Sequence, residues 1–406
     1  MLPLLPSLSY LERYCNEGTR TYSKHAAYTE ARRKYRPNGG EPAFSLPCFT
    51  MPRERMHVYS ANPPGEMARI YTGADEVRFC IHPQVLDEQA DDPYVVKTLK
   101  IGKAVKALRV EPSSSTRTLH VLDWPPDHAV KVHFPFRISR YGRKMREEVI
   151  EQAVNVSREL EAGISQLDRR FAFMREVIGV AHRNLHPDSP RGENWGYLVR
   201  DMRPFPHAAG ERALVPGFAL YGKDFYRPDK PILLFNLIGS ADPVEFVLEN
   251  IMLPIIRHWV GCFLHFGYLI EPHGQNVLLE IDENGEIRRM VHRDLSVGID
   301  MRRRRDLNLS DTGLNAYNRM EAGHFLSITY DKFMGGHFFD RIVDACLKHD
   351  PHLRPEDFRK PCRTEFQRIF PDNQTYFPKT VQYFSEERDA FGKPLFLDTG
   401  KVPEWR

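Results

Sequence analysis

An α+β fold, rich in strands up to about residue 225 and mostly helical beyond it, follows from three features of this sequence. Short apolar runs with strand character recur at Val77–His82, Tyr94–Val110, His128–Val132, Asn194–Arg203 and Ala213–Tyr221. The texture changes at Tyr226–Pro231, where a proline-rich turn precedes longer periodic segments. After that turn, Asp242-Pro243-Val244-Glu245 reads as a helix start, with Asp as N-cap, Pro at N1 and Glu at N3. The expected division is therefore 1–225, strand-rich, and 226–406, helical.

Residues 1 to about 65 are rich in Pro, Gly, Arg and Tyr, show little periodicity, and are read as an irregular lead-in. Val77–His82 is expected to be a strand. Tyr94–Val110 is expected to form a strand pair around Gly102. The loop Glu111-Pro-Ser-Ser-Ser-Thr-Arg-Thr118 concentrates hydroxyls and a guanidinium where the chain enters a strand, a composition suited to anions. In His128-Ala-Val-Lys-Val-His-Phe, alternation turns Lys131 away from Val130 and Val132. Met145, Val149, Ala153 and Val156 form part of a helical stripe in a region expected to be helical from Lys144 to about His182, divided at Gly163.

The helix that starts at Asp242 is expected to run past Pro254, with a kink, towards Gly267. Beyond Asp300, Met-Arg-Arg-Arg-Arg-Asp is expected to be a solvated surface. Ser310–Met334, His337–His349 and Pro355–Phe370 are expected to be helices.

With 406 residues, 41% hydrophobic and 27% charged, the chain is a globular one with room for two domains. A net charge of +3 gives no ground for nucleic acid as a partner. The six cysteines form no Cys-x-x-Cys pair, so they read as reduced cytoplasmic thiols and not as a zinc site or a disulfide frame. The amino terminus lacks a basic n-region and reads as a poor signal peptide. Ile251–Ile270 is broken by Pro254, Arg257, His258 and His265, and is not expected to span a membrane.

The densest chemistry lies between Glu271 and Asp300. Val277–Ile281 and Ile287–Val291 flank Asp282-Glu-Asn-Gly285, a turn whose Asn and Gly tolerate positive φ. Closing that hairpin brings His273, Gln275 and Asn276 opposite Arg293 and Asp294. The set offers carboxylate and amide oxygens for Mg²⁺, with an imidazole and a guanidinium for phosphate or carboxylate.

Glu271-Pro-His-Gly-Gln-Asn276, followed after a hairpin by Arg293-Asp294, resembles the adenylate-binding motif of the NRPS-independent siderophore synthetases, the IucA/IucC or aerobactin-synthetase-like family. Ser113-Ser-Ser-Thr-Arg-Thr118 resembles that family's Ser/Thr-x-Arg-Thr loop. Lys131 and Arg143 follow in the family's order, and Ile81-His82-Pro83 is similar to its Val-His-Pro-Trp-Gln motif, without the Trp-Gln. The resemblance covers roughly residues 75–385 and reads as a short form lacking most of the N-terminal thumb.

It implies a cupped hand, with β-rich fingers over 1–225 and a helical palm over 226–406, holding ATP and Mg²⁺ between them. The implied reaction activates a small-molecule carboxylate as an acyl-adenylate, which an amine, hydroxylamine or alcohol then captures. By the same resemblance, Ser113, Ser115, Arg117, Thr118, Lys131, Gln275, Asn276 and Arg293 hold the nucleotide. Ser139, Arg143 and His273 face the α-phosphate and the substrate carboxylate, with His273, Arg143 and Lys131 as the catalytic set. Glu271 and Asp294 bind the metal, and assembly as a homodimer is an analogy from the family.

Two other readings stand beside it. His292-Arg-Asp-Leu imitates a kinase catalytic loop, but a kinase needs an Asn five residues after the Asp, where this chain has Ile299. The second is a binding protein that keeps the fold and nucleotide site without turnover.

Overall fold

Pairing of distant segments builds the molecule around two sheets. The computed structural model describes residues 5–17, 28–139, 141–186, 193–388 and 394–406. Its strands, in chain order, begin with β1 (Phe44–Pro52), β2 (Met56–Ser60), β3 (Glu76–Cys80), β4 (Lys103–Pro112), β5 (Thr118–Val121), β6 (His128–Val132), β7 (Phe134–Ile138) and β8 (Tyr141–Arg143). They continue with β9 (Phe171–Phe173), β10 (Glu176–His182), β11 (Gly196–Asp201), β12 (Arg212–Pro216), β13 (Tyr268–Leu269), β14 (Val277–Asp282) and β15 (Ile287–His292). The larger sheet has eight antiparallel strands in the order β2-β10-β11-β6-β5-β4-β1-β3. A four-stranded sheet, β12-β14-β15-β9, is built on the Asn284-Gly285 hairpin, where Gly285 takes φ +82°. Because β9 and β12 precede residue 226 and β14 and β15 follow it, that sheet spans the expected division.

Several expectations need correction. The lead-in is not irregular throughout, since β1 and β2 lie within it and a helix forms at Leu8–Tyr14; residues 1–4 and 18–27 of it lie outside the described residues. Tyr94–Ile101 is helix and not strand: Asp92 caps it by accepting the N–H groups of Tyr94 and Val95, and Pro93 presets the first turn. The helix from Glu147 stops at Ala162 before Gly163, and Phe171–His182 forms β9 and β10 instead of a second helix.

Those two strands are buried on both faces, so they carry no alternation to distinguish them from helix. Packing fixes the choice: a Cβ on Gly179 would come within 2.3 Å of Ile150, so helix Glu147–Ala162 lies close on β10.

Asp242 caps its helix as expected, accepting the Glu245 N–H at 2.8 Å. The helical path continues through a π-turn at Leu248–Met252 into Leu253–Phe266 and ends on Gly267 at φ +66°. By length and hydropathy alone, Pro243–Phe266 is the one described helix capable of crossing a membrane, and most of it is buried inside the protein.

The arginine run is not simply solvated. Arg304 is buried, donating to Glu159, the Phe266 carbonyl and the Ser310 carbonyl. His82 also takes a structural place: it caps helix Pro83–Glu88 through the Gln84 N–H and packs among Tyr35, Phe44 and Phe134.

Glu147 ties the start of its helix to the large sheet, receiving bonds from His57, Tyr59 and Asn194. Burial alone would raise its carboxyl, but those bonds outweigh burial and bring it down to about 2. Between about pH 2 and its ordinary 4.5, the unfolded chain therefore binds more protons at Glu147 than the folded one. Its stabilisation is present above that window and is lost as pH falls through it. Glu147→Gln should lower the urea midpoint at pH 7, with the gap to the parent narrowing on acidification towards about pH 2.

Candidate functional site

A cleft open to solvent runs between the two sheets. One wall begins at the turn from β4 to β5. Ser113 N–H bonds the Thr118 carbonyl at 2.9 Å, and the Ser113 and Ser115 hydroxyls lie 3.0 Å apart. The Ser115 hydroxyl also accepts the Thr118 N–H at 3.1 Å. The serine-rich composition thus makes a self-braced turn, with Thr116 held at φ +68°.

The pleat of the large sheet places the next groups. Lys131 on β6 pairs with Thr118 on β5 and Leu198 on β11, so Thr118, Lys131 and Arg200 share one face, while Val130 and Val132 join the core behind. The alternation expected for Lys131 is what positions it. The β7–β8 hairpin adds Arg143 and, at its turn, Ser139 at φ +62°.

The smaller sheet supplies the opposite wall. Arg293 N–H bonds the Asn276 carbonyl at 3.0 Å, and Asp294, at φ +70°, receives Lys131 Nζ on Oδ1 at 2.7 Å. That bond joins the two walls directly. Of the five described non-glycine residues at positive φ, three line this cleft: Thr116, Ser139 and Asp294. Such conformations cost of order 1–3 kcal/mol each and gather where surrounding structure holds a site in place.

The electrostatics are lopsided. Among the described residues, Arg36, Arg117, Lys131, Arg143, Arg200 and Arg293 line the cleft against a single lining carboxylate, Asp294, so an anion is the fitting guest. Arg200 donates from both Nε and Nη2 to Oε1 of the buried Glu176 carboxylate. Arg117 donates to the Arg143 carbonyl at 3.1 Å, and among the described residues neither Arg117 nor Arg143 has an acid at ion-pair distance. Burial, reinforced by the Arg143 charge, lowers the Arg117 guanidinium to about 10.

Burial pushes the Glu271 carboxyl up to about 8, and the nearby Asp294 charge adds to the effect. For Asp294, burial is outweighed by Lys131 and Arg200, which hold it well below the usual carboxylate range. Burial brings His273 down to about 4, leaving it neutral at pH 7.

The residues expected from sequence are brought together. Ser113, Ser115, Arg117, Thr118, Lys131, Ser139, Arg143, Gln275, Asn276, Arg293 and Asp294 all line the cleft. Glu271 and His273 are not among its lining residues but are within electrostatic reach of Asp294 and Arg143. Arg293 is less available than expected, because Glu12 pairs with it at 2.6 Å and its Nε donates to the Gln275 carbonyl.

Sequence reasoning missed Arg36, Tyr28 and Glu12, which come from the lead-in, and also Arg200. An arginine within the apolar run Tyr197-Leu-Val-Arg200 was a legible signal; Glu12 had none. Among the described residues no group of three or more His, Cys, Asp or Glu could hold a metal. Glu271 and Asp294 lie within electrostatic reach of each other.

Residues 30–221 match the model of the IucA / IucC family, in line with the resemblance read from the motifs. Among solved structures, the fold is that of the petrobactin biosynthesis protein AsbB from Bacillus anthracis str. Sterne. The TM-score is 0.73 at 16% identity, over 100% of this chain and 76% of that one. Aerobactin synthetase IucC from Klebsiella pneumoniae is similar with TM-score 0.68 at 13% identity, over 91% of this chain and 71% of that one. ATP-bound aerobactin synthetase IucA from the same organism gives TM-score 0.66 at 13% identity, over 85% of this chain and 66% of that one. No curated protein matches.

Proposed function

We propose, for a chain of IucA/IucC type in fold with a cation-lined cleft, an ATP-dependent ligase of siderophore biosynthesis. It activates a carboxylic acid as an acyl-adenylate and passes the acyl group to an amine, hydroxylamine or alcohol. The observation that carries this reading is the Arg117–Arg143 pair: two adjacent guanidiniums facing a cleft with no acid at ion-pair distance among the described residues. The ATP-bound state of the structurally similar IucA supports the nucleotide as one guest.

In the first step a carboxylate oxygen attacks the α-phosphorus, and pyrophosphate leaves with the bonding electrons. Two anions must approach, so catalysis here is chiefly placement and charge neutralisation. Arg143 and Ser139, on one hairpin, face the α-phosphate and carboxylate. Arg117 and Lys131 balance the phosphates, while Ser113, Ser115 and Thr118 shape their turn. Gln275 and Asn276 close the nucleotide pocket. Neutral His273 offers a hydrogen bond without adding charge. In the second step the nucleophile attacks the acyl carbonyl, loses its proton, and AMP departs.

Glu271 and Asp294 would hold Mg²⁺, which when bound offsets phosphate charge. Two carboxylates suit an ion that keeps several waters and takes its other oxygens from phosphate. The scattered thiols support a cytoplasmic setting: all six cysteines are free and buried.

The test is ATP–pyrophosphate exchange with a panel of carboxylic acids. Acid-dependent exchange is expected. ATP binding with no acid-dependent exchange would favour the binding-protein reading. Asp294→Asn should shift the Mg²⁺ titration of the exchange rate to higher metal concentration, and an unchanged titration would remove Asp294 from the metal site.

A further inference from the structure

Glu12 has no part in the chemistry above, yet its side chain is fully enclosed at the edge of the cleft. One carboxylate oxygen accepts the Ser114 N–H at 2.8 Å, and the other pairs with Arg293 Nη1 at 2.6 Å. Those two partners come from opposite walls: Ser114 from the turn after β4, Arg293 from the end of β15. Arg293 Nε donates to the Gln275 carbonyl at 2.6 Å, and Gln275 Nε2 reaches back to Ser114 Oγ at 3.4 Å. The four residues close a ring of contacts across the cleft.

The carboxylate arrives on a helix with anchors of its own. Leu11 is buried in the main core, and Tyr10 Oη donates to Asp224 at 3.0 Å. Arg13 donates to the carbonyls of Pro37 at 2.9 Å, Glu41 at 3.1 Å and Pro42 at 2.6 Å. Burial would raise the Glu12 carboxyl, but Arg293 and Ser114 outweigh it and keep the group lowered and charged.

We propose that Glu12 is a positioning residue that ties the serine turn to the Arg293–Gln275 corner and thereby sets the cleft's grip on nucleotide. This inference rests on the nucleotide reading above. A carboxylate accepts the Ser114 N–H and at the same time sets its charge against Arg293. An amide carries no charge and turns its N–H groups towards one of the two partners. Glu12→Gln therefore removes the charge that faces Arg293 and weakens the acceptor of the Ser114 N–H, and the turn is no longer held in one place.

The experiment is calorimetric titration of ATP with Mg²⁺ into the full chain, alongside steady-state kinetics and nucleotide-free thermal unfolding. Glu12→Gln should raise Kd roughly tenfold to a hundredfold, the size expected for one charge-assisted bond. The loss should appear in KM for ATP, with kcat largely recovered at saturating ATP. Glu12→Gln/Arg293→Gln should bind no more weakly than the worse single variant, because both changes break one linkage.

Unchanged Kd in Glu12→Gln, or fully additive losses in the double variant, overturns the proposal. Should Glu12→Gln lack a cooperative transition, Arg293→Lys keeps the charge opposite Glu12 while losing the bond to Gln275. It is expected to raise Kd several-fold, and an unchanged value there also overturns the proposal. No ATP binding by the unsubstituted protein would overturn the nucleotide reading itself, and this linkage with it.

Discussion

Arg143→Ala and His273→Ala are each expected to cut acid-dependent ATP–pyrophosphate exchange by about 10²–10³-fold, the usual cost of removing one preorganised electrostatic contact. The two should differ in what else they change. Arg143 sits beside Arg117, and the two like charges oppose each other. Its removal should therefore leave the unfolding midpoint unchanged or slightly higher.

His273 is different, because its Nδ1 accepts the Gln275 N–H at 3.2 Å. In the neutral ring this places the proton on Nε2, which can then donate. With its pKa brought down to about 4, His273 stays neutral through the range where an ordinary histidine titrates. The exchange rate should accordingly show no histidine inflection near its ordinary 6.5. Near-normal exchange in either variant would dismantle this assignment of the site.

The largest loss of stability is expected from Glu176→Ala. Glu176 and Arg200 lie on paired strands β10 and β11, both buried, and Arg200 reaches Glu176 Oε1 through Nε at 2.9 Å and Nη2 at 2.5 Å. Removing the acid leaves a guanidinium enclosed without its counter-charge. That typically costs about 3–5 kcal/mol, well above the value of an exposed pair. Glu176→Gln keeps an acceptor oxygen and should cost less. Urea denaturation of both variants checks this, and a loss under about 1 kcal/mol for Glu176→Ala would mean that the charge is solvated after all.

What was legible in the sequence was local. The Asn284-Gly285 turn announced its hairpin because few residues accept positive φ, and Asp242-Pro243 announced a helix start because both residues satisfy its first turn. Alternation placed Lys131 on the face opposite Val130 and Val132. The motif residues of the site were readable for a related reason, since each set lies within a few positions of a turn or strand end.

Non-local choices were not legible. Asp92-Pro93 carries the same start signal as Asp242-Pro243, but the apolar run after it also fits a strand. Phe171–His182 became strand because neighbours cover both its faces, a condition that erases alternation. Arg304 is buried because Glu159 and two carbonyls wait where the chain folds back.

By itself, then, the sequence determined the turns, the caps and the chemical stock of the cleft, because these depend on φ preferences and on side-chain donors and acceptors near in the chain. Only the tertiary structure decided which charges meet: Lys131 with Asp294, Arg200 with Glu176, Glu12 with Arg293. The physical reason is distance along the chain. Partners 24 to 281 residues apart acquire a common dielectric, and hence a common energy, only when the sheets that carry them are packed.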